Sequence, residues 1–71
     1  MTLKEFLKSI SSLLEWYPAR IYSIRNNSVV GSVIESKELI PENVYEYKYI
    51  SMKIEENIRL KGNKVIVITV E

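Results

Sequence analysis

Tyr45, Tyr47 and Tyr49 alternate with Glu46 and Lys48, a spacing that sends three rings to one face of an extended strand and two charges to the other. Such a ladder has two uses. Strand tyrosines pack against cross-strand neighbours or fill interface cores, because the ring is apolar and the hydroxyl polar. They also stack on unpaired bases, at about 1 to 3 kcal/mol per base, with Lys53, Arg20 and Arg25 as candidate phosphate contacts and Lys48 on the reverse face. These seven residues form the candidate binding or interface set. Packing is the commoner use of tyrosines on strands, and the family-specific ribonucleoprotein motifs are absent.

Catalytic chemistry has little to draw on. Histidine, cysteine and aspartate are missing, so all nine acids are glutamates. Glu55 and Glu56 are adjacent and would point to opposite faces of a strand, and Glu42 with Glu46 reads as solvated surface. Ser51 and Lys53 share one face, the minimum for a serine–lysine nucleophile, with nothing further behind them. Two glycines, Gly31 and Gly62, cannot build a phosphate-cradling loop, and no metal-ligand cluster is available. The expectation is a protein without catalytic residues, cofactor or metal. It is a binding or interaction module that self-associates and acts through protein contacts, the alternative being a small nucleic-acid-binding protein that uses the tyrosine face.

Ten Lys and Arg against nine Glu give a net charge of +1, which creates no global field for nucleic acid or anionic lipid. Length sharpens the case for self-association. A chain of 71 residues supports one small core in a single domain, and without cysteine or histidine neither disulfides nor a zinc site can reinforce it. A homodimer is the remaining reinforcement. The first segment is interrupted by Lys4, Glu5, Lys8 and Glu15, too often for a membrane span or a signal peptide, so a cytoplasmic, non-membrane protein is expected. Asn26-Asn27-Ser28 matches a glycosylation pattern and is read as turn chemistry. Seven lysines, nine glutamates and ten isoleucines fit the bias of hyperthermophilic proteomes, although five asparagines oppose it.

The elements that position these residues follow from periodicity. Leu3, Phe6, Leu7, Ile10, Leu13, Leu14 and Tyr17 recur at spacings of three and four, predicting an amphipathic helix from Thr2 to Tyr17 with Leu7, Ile10 and Leu14 in the core. Thr2 and Glu5 make a capping box, and Pro18 ends the run. The period then drops to two. Arg20 to Arg25 and Val29 to Glu35 read as a hairpin about Asn26-Asn27, with Ile24 opposite Val29 and the Tyr22 ring over Gly31. Ser36 to Asn43 reads as a loop with room for one helical turn.

Val44 to Leu60 carries helical and strand patterns together. From Ile50 to Leu60 the even positions are apolar except Glu56 and the odd ones polar, which favours a strand. The apolar face changes parity near Tyr49 and Ile50, predicting a bulge. Gly62-Asn63 suits a tight turn that sets Leu60 opposite Val65 and Ile58 opposite Val67. Val65 to Val70 is apolar on both faces, as in a central strand covered on both sides. Val44 to Lys53 is then left to pair elsewhere, which makes it a candidate edge for strand addition by a second copy or another protein. The expected fold is α+β: one N-terminal amphipathic helix packed on a four-stranded antiparallel sheet of two β-hairpins.

Overall fold

The computed structural model describes residues 1–56 and 64–71. The fold is α+β, with a short helical layer on one face of a five-stranded mixed sheet. Thr2 opens the first helix as the sequence requires: its hydroxyl accepts the Glu5 backbone N–H, and the Glu5 carboxylate accepts the Thr2 N–H at 2.9 Å. The Thr2 N–H and then the Thr2 hydroxyl, both donating to it, hold the Glu5 carboxyl below its ordinary pKa.

The helix does not run to Tyr17. It divides into α1 (Leu3–Ser9) and α2 (Ser11–Leu14), with Ile10 between them at φ −113° and ψ 20°. Ser9 donates its hydroxyl to the Phe6 carbonyl at 2.7 Å, a local bond that competes with helix continuation, and Ser11 and Ser12 add little propensity beyond it. The kink leaves Ile10 only half-buried, while Leu3, Phe6, Leu7 and Leu14 reach the core.

The sheet contains β1 (Ala19–Ser23), β2 (Ser28–Ile34), β3 (Lys37–Leu39), β4 (Tyr49–Glu56) and β5 (Lys64–Val70), in the order β3-β2-β1-β5-β4. Neighbours are antiparallel except β1 and β5, which run parallel with Ile21 beside Ile68. The expected four antiparallel strands are thus corrected to five in a mixed sheet. β3 escaped notice because its turn uses Glu35 and Ser36, both at positive φ (51° and 65°), where asparagine or glycine would have signalled a two-residue hairpin.

The first hairpin also differs from expectation. Its turn spans Ile24 to Asn27, and a bulge sets Ile21 opposite Gly31 and Tyr22 opposite Val29. Gly31 is required for another reason: an added Cβ would lie 3.0 Å from Ile40 Cγ1 and 3.3 Å from the Ile40 Cα. The chain leaving β3 crosses there at backbone distance.

β4 pairs with β5 through Met52–Ile68 and Ile54–Ile66, with Lys53 opposite Val67 and Glu55 opposite Val65. The expected Leu60–Val65 and Ile58–Val67 pairs are therefore corrected, and the Gly62-Asn63 turn lies outside the described residues. Sidedness explains the register. Ile66, Ile68 and Val70 face the helices, and only a like-parity pairing places Met52 and Ile54 on that face too. The bulge between Tyr49 and Ser51 falls where the parity changes. β5 is central, as expected, but the helices cover only one of its faces. Its second apolar row is flanked by partners with long aliphatic stems, Val67 lying between Arg20 and Lys53.

Candidate functional site

The tyrosine ladder dissolves because its first rung is not on a strand. Pro41 precedes a 3-10 helix, Glu42–Glu46, that carries Tyr45 and buries Val44. Tyr47 follows it, and only Tyr49 belongs to β4. The strand expected from Val44 therefore starts five residues later. Pro41 followed by Glu42 was the available signal, a pairing suited to the first turn of a helix.

Each ring has its own task. Tyr45 donates its hydroxyl to the Glu38 carboxylate at 2.7 Å, tying the 3-10 helix to β3; burial, followed by the Glu38 hydrogen bond and charge, pushes the phenol up to about 12. Tyr47 lies under the Arg25 guanidinium, 5.7 Å from the ring centroid. Tyr49 stacks on Phe6 with centroids 3.9 Å apart and planes 14° from parallel. All three pack against the core. Lys48 stays exposed and pairs through its backbone with Thr2.

Arg20 and Lys53, by contrast, come together on the outer face of the sheet, away from the helices. With Tyr22, Val29, Glu55, Val67 and Thr69 they line a shallow cavity of about 410 Å³. Lys53 Nζ lies 2.8 Å from the Glu55 carboxylate, an exposed ion pair that keeps the Glu55 carboxyl below its ordinary range. The Tyr22 hydroxyl donates to the Asn27 side chain, which props the ring at the rim. Strand alternation adds Ile34 and Leu39 to this face, and Val29, Ile34 and Leu39 are 56%, 49% and 59% exposed. Sequence reasoning missed this surface. Its only trace was the second apolar row of Val65 to Val70.

A second groove, of about 630 Å³, runs along the helical layer. Leu7, Leu14 and Val33 form its apolar floor, with Lys4 and Lys8 on one wall and Glu38, Glu42 and Glu46 on the other. Among the described residues no group of three or more acidic side chains is arranged to hold a metal ion, and no helix is long and apolar enough to cross a membrane. Comparison with known protein families, curated proteins and solved structures finds no match.

Proposed function

We propose that this chain is a non-catalytic interaction module that self-associates, as a homodimer, and acts through protein–protein contacts. One observation carries the reading: among the described residues the sheet is covered on one side only, and its other side presents Val29, Ile34 and Leu39 about half exposed beside the polar side chains of Arg20, Tyr22 and Lys53. Exposed apolar side chains gathered on one face among polar groups are a usual mark of a contact surface. The absence of histidine, cysteine and aspartate from the sequence supports the non-catalytic part. Sedimentation equilibrium at micromolar concentrations tests the association. The expected result is a weight-average mass above 8.3 kDa that rises with concentration, and a lone 8.3 kDa species removes the reading.

A second reading, binding of single-stranded nucleic acid, retains one supporting observation. Arg20, Lys53 and the Tyr22 ring border the same cavity, so one base could stack while two cations met phosphates. Fluorescence anisotropy with a labelled oligonucleotide at low salt tests it. No binding there eliminates it, and binding that weakens with salt favours it.

A further inference from the structure

The sheet has two edges of unequal kind. β3 offers three residues, whereas β4 offers eight, and an unpaired edge of that length is a template for another strand. Part of it is already occupied. The Leu3 N–H donates to the Tyr47 carbonyl at 2.8 Å and the Tyr49 N–H to the Met1 carbonyl at 2.9 Å, so residues 1–3 pair along 47–49 opposite the side that meets β5. From Ile50 to Glu56 the outer edge of β4 meets no strand among the described residues.

We propose that residues 52–56 of this edge pair with the same residues of a second copy, antiparallel about a two-fold axis perpendicular to the sheet at Ile54. The inference rests on the self-associating reading above and names its surface. A two-fold perpendicular to the sheet keeps both outer faces on one side, so residues of like parity stand opposite one another. Charge then selects among the registers. An axis at Lys53 sets two lysines face to face, and one at Glu55 does the same with two glutamates. An axis at Met52 forms no Lys53–Glu55 pair and carries Glu55 and Glu56 of the second copy onto Tyr49 and Lys48, where residues 1–3 already lie.

The axis at Ile54 satisfies every constraint. Lys53 of each copy meets Glu55 of the other, and the pair within each chain, 2.8 Å apart, becomes half of a square of alternating charges. Both side chains have surface available for a second partner, at 66% and 47% exposure. On the helix side Ile54, 49% exposed, meets its own copy, and Met52 stands opposite Glu56. A lysine on an edge ordinarily repels strand addition; the glutamate two residues on converts that repulsion into self-recognition. The product is one ten-stranded sheet in which the two bare faces are contiguous.

The chain has no cysteine, so Ile54→Cys introduces one thiol. Directly opposed antiparallel residues have Cα atoms about 4.5 to 5.5 Å apart, within disulfide range, and mild oxidation is expected to give a covalent dimer. Ser51→Cys, displaced from the axis, is expected to form no covalent dimer under the same oxidation. In sedimentation equilibrium Lys53→Glu and Glu55→Lys should each weaken the dimer by about tenfold, and the double reversal should restore it. A wild-type dimer that ignores both reversals, or in which Ile54→Cys does not cross-link, overturns the edge pairing while self-association stands. A wild-type protein that is monomeric throughout overturns both.

Discussion

The two faces of the sheet come from the same strands and meet different fates. On β1 and β5 the residues turned to the helices, Ala19, Ile21, Ser23, Ile66, Ile68 and Val70, are all buried, and even Ser23 is satisfied by the Glu71 carbonyl and the Asn26 N–H. One residue along, Arg20, Tyr22, Val67 and Thr69 are exposed or half-buried, and of that row on β5 only Val65 is buried. β5 is nearly as apolar on one face as on the other, so side-chain type does not separate them. What separates them is the layer of Leu3, Phe6, Leu7 and Leu14 that arrives on one side. An apolar row on a central strand reports availability for packing, and which row is buried depends on the layer the rest of the chain brings to it.

That contrast can be broken most forcefully at Ile68. Ile68→Ala should cost about 2 to 5 kcal/mol in urea unfolding, since the side chain is wholly buried between sheet and helices. A loss comparable to that of an outer-face substitution would mean that the helical layer does not seal this side. Next comes Gly31→Ala, where the new Cβ meets Ile40 and should cost about 1 to 3 kcal/mol by the same measurement.

Tyr45 sharpens the comparison through pH. Its pKa is raised in the folded state to about 12 from an ordinary 10.0, so the neutral phenol is the form that folding favours. The stability it contributes is complete below pH 10.0 and is lost as pH rises through about 12. Tyrosinate absorbance should contain one late-titrating component that Tyr45→Phe removes. The smallest effect is expected on the bare face: Leu39→Lys should change stability by less than about 0.5 kcal/mol. A large loss of melting temperature there would show that the outer face contributes to folding.

What could be read in advance was local. The Thr2–Glu5 box, the strand after Tyr49 and its bulge each depend on residues a few positions apart, and each is present. Two kinds of feature were hidden. The parallel contact of β1 with β5 joins residues 47 positions apart, such as Ile21 and Ile68, with no local mark on either strand. The alternation of Tyr45, Tyr47 and Tyr49 is genuine in the sequence, but the three residues belong to three backbone conformations, and period two has no meaning across them. Of the candidate contact residues, Arg20 and Lys53 were recognised as cations, yet their meeting beside Tyr22 depends on β5 lying between their strands.

The position of β5 also bears on how the molecule assembles in time. It follows β1 to β4 in chain order and lies between β1 and β4 in the sheet, so β1 to β3 and β4 have no shared framework until residues 64–70 dock between them. Early hairpins can form and dissolve, but neither side can seal the core alone. Loop closure over such sequence distances must precede most of the reward, which predicts slow, all-or-none folding for so short a chain. A nascent chain would accordingly stay open until β5 had left the ribosome.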